Sequence, residues 1–232
     1  MEYTNMAVYY DDLFSKKDYS KEVSFIKNKI GKAKNIIDIG CGTGTHMSML
    51  IKEGYNVIGV DLSRDMVEIA RKKTQAPVYL GNVLKFKFKM QFDAALCLFE
   101  LLNHLKNKKQ IILAMRNINK HLVDNGILIV DLIQPQESFG GKKVIVSDVE
   151  KVLTWEYDST RQIEKMYTSY NIDEHIYKTK HVFKIVSIEE FTEIAKMTGF
   201  DVVSIHDNYS EEVATAKTLH NEFVLRKNKS TK

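Results

Sequence analysis

The chain has 232 residues and a net charge of +4, and 44% of its residues are hydrophobic. This length and composition indicate a soluble globular protein with a substantial core. The apolar runs are shorter than a membrane span and no secretion leader is evident, so we expect a cytoplasmic protein. Two cysteines, Cys41 and Cys97, make no disulfide framework. The modest, dispersed charge argues against a nucleic-acid partner.

The first predicted elements are two strands joined by a glycine-rich turn and a helix. Apolar residues 36–39 lead into Gly40, Gly42 and Gly44, and a second apolar strand ends on Asp61. Glycines let a backbone approach a ligand closely because they carry no Cβ. An acid about 20 residues beyond such glycines accepts hydrogen bonds from the ribose hydroxyls of an adenosine cofactor. The unit therefore predicts an adenosine site, and the alternative is a tight turn without a ligand.

The glycine pattern also restricts which adenosine cofactor is expected. A dinucleotide site needs Gly-x-Gly-x-x-Gly, but the position of the third glycine is Thr45, and no Gly-Lys-Ser/Thr phosphate loop follows. Asp38 places a negative charge just before the loop. This charge repels a diphosphate and attracts a cation such as an amino-acid ammonium or a sulfonium. We therefore expect a cofactor that carries positive charge.

Strand and helix patterns alternate from the glycine turn to residue 132. Ser63 can cap the next helix, and the later elements in order are a strand at 78–80, a buried strand at 92–98, a helix at 111–122 and a strand at 127–132. This alternation predicts an α/β fold, a parallel sheet with helices on both faces. Ligands of such sheets bind beyond the carboxyl ends of the strands, where the glycine turn and Asp61 both lie.

The pattern changes after Pro135. Four strand-like runs without helices follow, at 144–149, 152–157, 163–170 and 176–186. Ser187 and Glu190 then form a capping box that opens a helix, which Gly199 closes, and strands at 202–205 and 223–225 complete the chain. We expect one domain with a late antiparallel β insertion. Whether two copies pair as a homodimer through this insertion is left open.

Several short stretches resemble class I S-adenosylmethionine-dependent methyltransferases. They are residues 10–14, 17–19, 38–46, 61–66 and 103–105. The resemblance to the class covers nearly the whole chain. Within the class the chain looks most like the N-methyltransferases of nucleotide-linked amino sugars, of the desosamine and mycaminose type. Glycine- and other small-amine methyltransferases share several of these matches.

The resemblance implies a doubly wound, mostly parallel seven-stranded sheet whose last strand is antiparallel. It implies a single domain over residues 1–232, in which 1–34 form an N-terminal helical lid, 35–134 the cofactor-binding core, 136–186 the insertion and 187–226 the last helix and strands. The implied cofactor is S-adenosyl-L-methionine. The implied cofactor contacts are Tyr19, Asp38, Gly40, Cys41, Gly42, Thr43 and Gly44 at the methionine end, Asp61 and Leu62 at the ribose, and Met66, Asn82, Val83 and Leu98 around the adenine and along the strand ends.

Three features depart from the pattern of these relatives. Ser15 stands where they are expected to have a tyrosine near the substrate. Asn82 stands where they usually have Asp, so the adenine amine would meet a neutral acceptor. Residues 208–222 lack the Gly- and Arg-rich pattern expected around a diphosphate.

Three residues are candidates for the acceptor side. An amine must lose its proton before it attacks a methyl group, and His104 is our candidate for the proton acceptor or an orienting group. Glu100 can pair with an ammonium substrate, and Tyr10 belongs to an aromatic cluster that can cover the sulfonium. The alternatives are a loop histidine that binds a backbone carbonyl, an exposed carboxylate, and the packed face of a helix. His46 could form a hydrogen bond near the methionine end, but we expect a solvent-facing side chain.

Four functions compete at this point. The leading one is an N-methyltransferase of a small amine, and the second is an O-methyltransferase of a sugar or another small polar metabolite. A nucleic-acid base methyltransferase typically has Asn/Asp-Pro-Pro-Tyr/Phe after the fourth strand, whereas residues 98–101 contain no proline. The fourth is a non-catalytic cofactor-binding partner of another enzyme. The histidines show no metal-ligand spacing, so we expect no metal.

Overall fold

Six α-helices and eleven strands form the described part of the computed structural model, which covers residues 7–135, 142–146, 149–172, 175–215 and 218–229. The helices are α1 Tyr10–Leu13, α2 Tyr19–Ile30, α3 Thr45–Lys52, α4 Arg64–Thr74, α5 Lys108–His121 and α6 Ile188–Met197, with 3₁₀ turns at Ala7–Tyr9 and Leu101–His104. The strands are β1 Asn35–Ile39, β2 Asn56–Asp61, β3 Val78–Leu80, β4 Phe92–Cys97, β5 Leu122–Ile133, β6 Lys142–Val146, β7 Val149–Asp158, β8 Ile163–Ile172, β9 His175–Lys184, β10 Phe200–Asp207 and β11 His220–Lys227.

The large sheet has seven strands in the order β10-β11-β5-β4-β1-β2-β3. The pairs β1–β2, β1–β4, β2–β3 and β4–β5 are parallel, whereas β11 runs antiparallel to both β5 and β10. This arrangement confirms the predicted fold class, including the reversed last strand.

Helices cover both faces of this sheet because its central strands are apolar on both sides. In β1, the buried side chains of Ile37 and Ile39 belong to one core cluster and that of Ile36 to the other, as the alternation of a strand requires. Helices α5 and α6 supply the first cluster, and helices α2, α3 and α4 supply the second. The sheet is thus doubly wound, and its carboxyl edge is left for a site.

Side-chain caps define where several helices begin. The Ser63 hydroxyl accepts a hydrogen bond from the Met66 amide, and the Ser187 hydroxyl accepts one from the Glu190 amide at 3.1 Å. Gly199 adopts a φ of 84° just beyond α6. Both predicted caps are therefore confirmed.

The late insertion is a second, antiparallel sheet with the order β6-β7-β8-β9. The Asn103 amide nitrogen donates to the carbonyl of Lys184 at 2.9 Å, so β9 is joined to the 3₁₀ turn after β4. On the other side, Leu13 of α1 packs with Tyr170 and Ile172 of β8. The predicted insertion is confirmed where it is described, and the predicted run at 144–149 extends partly outside the described residues. Pairing of two copies through this sheet stays a prediction.

Candidate active site

The glycine turn after β1 takes a backbone path that L-residues rarely adopt. Gly40, Gly42 and Gly44 have φ values of 74°, 54° and 81°. A Cβ on Gly40 would lie 2.6 Å from Leu101 Cδ1, and one on Gly44 would lie 3.1 Å from Ala70 Cβ, whereas one on Gly42 would meet nothing within 4 Å. Gly44 therefore permits the packing of α3 against α4, and Gly42 leaves an open backbone face beside the turn.

Asp61 closes this turn from the end of β2. Its carboxylate accepts hydrogen bonds from the amides of Gly42 at 2.9 Å and Ser63 at 2.8 Å, one on each oxygen. Burial raises the pKa of Asp61, and these backbone hydrogen bonds act in the opposite direction. Each carboxylate oxygen keeps a further lone pair, so the group can still accept two hydroxyls. These two acceptor positions fit the two hydroxyls of a ribose.

Asp38 is the second acid of the turn and is buried in β1. Burial raises its pKa to about 6, while the charge of His46 lowers it and that of Asp61 raises it. Within the described residues no side chain or amide donates a hydrogen bond to this carboxylate. A buried carboxylate that lines a pocket without a donor attracts a cationic group. Asp38 therefore fits an ammonium or a sulfonium.

Asp38, Gly40 and Gly42 belong to a pocket at the carboxyl edge of the sheet, and Asp61 binds the Gly42 amide from outside its lining. Its lining consists of Tyr10, Tyr19, Asp38, Gly40, Cys41, Gly42, Thr43, Thr45, His46, Leu98 and Phe99. The free volume is about 30 Å³, far below the roughly 300 Å³ at which ligand pockets begin.

The N-terminal segment is fastened to the glycine turn by polar contacts. The Thr43 hydroxyl donates to Asp11 Oδ1 at 2.6 Å, and Lys73 Nζ of α4 lies 2.7 Å from Asp11 Oδ2. The Thr43 hydroxyl is thus engaged with this segment. These contacts are consistent with the predicted lid over residues 1–34, of which residues 1–6 lie outside the described residues.

His46 lies under the same segment, in a chain of close polar contacts. Its Nε2 is 2.7 Å from Glu22 Oε2, and Glu22 Oε1 is 2.8 Å from Lys17 Nζ. Lys17 Nζ also stands 3.7 Å above the centre of the Phe99 ring, and the Tyr19 ring lies within 5.1 Å of His46. The expectation of a solvent-facing His46 was wrong. Helix α2 packs over His46 and places Glu22 against its ring, and Lys17, just before α2, binds Glu22. The sequence around His46 does not reveal this packing.

The residues predicted around the adenine follow the ends of β2 and β3. Met66 is buried, whereas the Leu62 side chain is 54% exposed. Asn82 Oδ1 accepts a hydrogen bond from the Leu84 amide at 2.9 Å, and the buried Val83 follows it. Asn82 thus stabilises its own turn while its amide nitrogen and a second lone pair stay available. The contacts of these residues with adenine stay predictions, as does the contact of the Tyr19 hydroxyl with the cofactor carboxylate.

Cys41 and Cys97 are both buried thiols. Burial raises the pKa of each, and nearby carboxylates raise it further. Both therefore stay protonated and are packing groups. Cys41 lines the pocket through its place in the glycine turn.

A strained turn follows Leu98 at the end of β4. Phe99 and Glu100 have φ values of 58° and 52°, a region that is unfavourable by roughly 1 kcal/mol or more per non-glycine residue. Their amides donate to the two carboxylate oxygens of Asp131 at 2.8 and 2.7 Å. Asp131 is buried at the end of β5 and holds this turn in place. Sequence reasoning missed it, because Asp131 lies within an apolar strand and no glycine turn marks it as Asp61 is marked.

Asp131 belongs to a buried acidic cluster that also contains Tyr209 and Glu222. The Tyr209 hydroxyl donates to Asp131 Oδ2 at 2.7 Å, and the Tyr209 amide donates to Glu222 Oε2 at 2.7 Å. Burial raises the pKa of Asp131 to about 6 and that of Glu222 to about 8. This cluster therefore carries protons at a pH where ordinary carboxyls are ionised.

Glu100 extends from the strained turn to His220, the first residue of β11. His220 Nδ1 lies 3.4 Å from Glu100 Oε1. Burial raises the pKa of Glu100, but the contact with His220 and the charges of His220 and Lys17 lower it more, so it lies below its ordinary value. The pKa of His220 is raised, chiefly by Glu100. His220 was not among the sequence candidates because only the sheet topology brings it to this edge.

His104 ends the 3₁₀ turn after Glu100 and packs against the insertion. Its ring centre is 4.7 Å from that of Phe183 and 5.7 Å from that of His181. Burial lowers the pKa of His104, and the charge of Glu100 raises it to a smaller extent. The imidazole is therefore neutral at neutral pH. Its part in proton transfer stays a prediction.

A larger cavity of about 380 Å³ opens at the opposite edge of the sheet, around Asn35, Tyr55 and Phe92. Its lining has no carboxylate, imidazole, thiol or amine among the described residues. Neither a helix suited to crossing a membrane nor a cluster of metal-ligand side chains occurs in the part of the chain that is described. The chemistry-bearing groups thus gather at the carboxyl edge.

Comparisons with known proteins agree with this geometry. A family model described as a methyltransferase domain matches residues 36–126. The uncharacterised protein MJ1252 of Methanocaldococcus jannaschii is 31% identical over 204 residues, which are 87% of this chain and 75% of that protein. A dTDP-3-amino-3,4,6-trideoxy-alpha-D-glucopyranose N,N-dimethyltransferase of Streptomyces venezuelae is 30% identical over 120 residues, about half of each chain.

The fold is shared with a solved S-adenosylmethionine-dependent methyltransferase of Clostridium acetobutylicum. The two structures superpose with a TM-score of 0.86 over 98% of this chain and 99% of the other, at 19% identity. The matched domain spans the glycine turn, Asp38 and Asp61. The carboxylates of Asp38 and Asp61 suit a nucleoside that carries a positive charge. The chain belongs to the S-adenosylmethionine-dependent methyltransferases, and its cofactor is S-adenosylmethionine.

Proposed function

We propose that this enzyme methylates the amine nitrogen of a small molecule, such as a nucleotide-linked amino sugar. The observation that carries the proposal is the position of the Glu100 carboxylate. Glu100 follows Phe99 in the chain, and Phe99 lines the cofactor pocket. Its pKa lies below the ordinary value, so it is charged at neutral pH. A fixed carboxylate attracts a protonated amine, whereas a neutral hydroxyl gains much less from it. The Streptomyces venezuelae relative, named for an amino-sugar substrate, supports the same choice.

The chain's own residues then have separate tasks. When bound, S-adenosylmethionine supplies a methyl group already activated on a sulfonium. Asp61 binds the ribose hydroxyls, and Asp38 pairs with the cationic methionine end. Tyr10 and Tyr19 on the N-terminal segment cover this end and exclude water.

On the acceptor side, Glu100 draws the ammonium to the end of β4. His104 accepts its proton or orients the nitrogen from the adjoining 3₁₀ turn, where its neutral imidazole is ready for either task. Alignment of nitrogen, methyl and sulfur is the main contribution that remains for the protein.

A methyl-transfer assay tests the proposal. The purified enzyme receives labelled S-adenosylmethionine and a panel of nucleotide-linked amino sugars, simple amines, hydroxylated sugars and RNA. We expect label on amines. Label on hydroxyls alone would establish the O-methyltransferase alternative, label on RNA alone would contradict a small-molecule acceptor, and tight cofactor binding without any transfer would favour a non-catalytic partner.

The charge of Glu100 is tested in the same assay by Glu100→Gln. Loss of one charge-assisted contact, roughly 1.5–3 kcal/mol, lowers kcat/KM for the amine by about 10- to 100-fold. Glu193→Gln, a charge change at an exposed position of α6, is the matched control. If Glu100→Gln lowers kcat/KM for a hydroxyl-bearing acceptor as much as for the amine, Glu100 does not recognise the charge of the ammonium.

A further inference from the structure

We propose that Glu100 and His220 act as a proton-accepting pair, in which His220 takes the proton of the acceptor ammonium and Glu100 orients the imidazole. This inference rests on the proposed function, because it requires an amine acceptor. It adds a catalytic residue from β11, a strand that the sequence pattern did not connect with the chemistry.

The position of His220 follows from the reversed strand. Because β11 runs antiparallel to β5, its first residue lies opposite Ile133, at the carboxyl edge of the sheet. His220 Nδ1 faces Glu100 Oε1 at 3.4 Å. A carboxylate on one ring nitrogen fixes the imidazole and leaves Nε2 for another partner. The His220 side chain is 42% exposed, so a ligand or water can approach it.

Glu100 is a fixed carboxylate and not a freely moving loop residue. Both its own amide and that of Phe99 are held by Asp131, which is itself bound by the Tyr209 hydroxyl. Without these two hydrogen bonds to Asp131, the left-handed backbone at Phe99 and Glu100 would relax. The turn therefore sets the direction in which Glu100 points. The preceding residue, Phe99, lines the cofactor pocket.

The surrounding charges favour proton uptake at His220. Glu100, Asp131 and Glu222 all raise its pKa, while burial lowers it less. Lys17 and His104 act on Glu100 from the N-terminal segment and the 3₁₀ turn. Burial instead lowers the pKa of His104. A base is most effective when its pKa lies near the working pH, so His220 is the better proton acceptor and His104 the better orienting group.

The proton balance is simple. The N–H bond of the ammonium breaks, its electron pair stays on nitrogen, and an N–H bond forms at His220 Nε2. The free amine can then attack the methyl group, and the methylated product is itself an ammonium. His220 afterwards releases its proton to water on its exposed side. One proton leaves for each methyl group transferred, and no further reactant is needed.

The test uses the variants His220→Gln and Glu100→Gln, with His175→Gln and Glu193→Gln as matched controls at exposed positions. With the best amine of the panel, we expect His220→Gln to lower kcat on the order of 10²-fold while the affinity for S-adenosylhomocysteine stays within about threefold. Added imidazole restores part of the rate to His220→Ala. A residue that only supports the fold would give neither the selective loss of kcat nor the rescue.

Glu100→Gln gives a second readout. Removal of the carboxylate lowers the pKa of His220, so the acidic limb of the kcat/KM profile moves to lower pH. An NMR titration of the His220 ring detects the same change without cofactor or acceptor. In the wild-type protein this titration should give a pKa above the ordinary histidine value of about 6.5.

The pair is overturned if His220→Gln turns over within about twofold of the wild type on an amine. It is also overturned if the NMR titration of His220 is the same in Glu100→Gln. Transfer to hydroxyls alone would reject the proposed function and this proton step together. Amine transfer that is indifferent to His220 would reject the pair and leave the proposed function in place.

Discussion

The two ends of the site are built in different ways. At the cofactor end, Asp38, the glycine turn and Asp61 come from one continuous strand-helix-strand unit, and Asp61 binds backbone amides. At the proposed acceptor end, Glu100 follows β4, Asp131 lies in β5 and His220 begins β11, and they bind one another or the strained turn. Motif spacing specifies the first end, whereas the second exists only once the sheet has assembled.

This contrast explains how function can vary within one fold. Backbone amides and missing Cβ atoms depend little on the identity of neighbouring residues, so one cofactor site suits many acceptors. Side chains that meet from β4, β5 and β11 can change independently. We therefore expect substitutions at the two ends to separate cofactor affinity from fold stability and from transfer.

Asp61→Asn should give the largest effect on cofactor binding. Asparagine keeps one acceptor oxygen, but its amide NH2, a donor, would face a backbone N–H, and the charge is removed. One or more charge-assisted hydrogen bonds of about 1.5–3 kcal/mol each are therefore lost. The affinity for S-adenosylhomocysteine, measured by calorimetry, should fall on the order of 10²-fold. Glu68→Gln, at an exposed position of α4, should leave it unchanged. A loss below threefold would contradict the ribose assignment.

Asp131→Asn should act mainly on stability. One amide of the Phe99–Glu100 turn would face an amide nitrogen and lose its acceptor, while the strained backbone remains. We expect the free energy of unfolding to fall by about 2–3 kcal/mol. Urea denaturation of this variant beside the exposed Asp201→Asn measures the difference. If the free energy of unfolding falls equally in both variants, the hydrogen bonds from Phe99 and Glu100 to Asp131 do not hold the turn.

The sequence predicted most of the fold and, within the candidate site, the residues of the cofactor end. Alternating apolar runs, the Ser63 and Ser187 caps and the change of rhythm after Pro135 correctly indicated the sheet, its helices and the insertion. Asp38 and Asp61 were found because glycines mark the turn between them. His220 and Tyr209 could not be found, since nothing local relates them to Glu100 and Asp131; only the reversal of β11 does so.

Asp38 should make cofactor binding depend on pH. Its pKa of about 6 means that the carboxyl is largely protonated below that pH, and it must ionise to pair with a cationic ligand. Affinity for S-adenosylhomocysteine should therefore rise by up to about tenfold per pH unit from pH 5 to 6 and level off above. Calorimetry at several pH values measures this, and Asp38→Asn should remove the slope. An unchanged slope in that variant would assign the titration to another group.

Tyr209→Phe should give the smallest effect, and one that grows with pH. Phenylalanine preserves the packing but removes the hydroxyl that donates to Asp131, which lowers the free energy of unfolding by about 0.5–1.5 kcal/mol. The folded pKa of Asp131, about 6, exceeds the value of about 3.9 for an unfolded chain. Between these values the native state binds more protons, so stability falls as pH rises from about 4 to 6.

The tyrosine hydroxyl opposes this fall because it stabilises the ionised carboxylate. In Tyr209→Phe the pKa of Asp131 rises further, and the loss of stability should be greater at pH 8 than at pH 4.5. Urea denaturation at both values tests this, with Tyr79→Phe on the exposed side of β3 as control. Equal losses at the two pH values would show that the hydroxyl does not act on the charge of Asp131. The acceptor end would then be held by packing alone, and its acids would no longer distinguish it from the cofactor end.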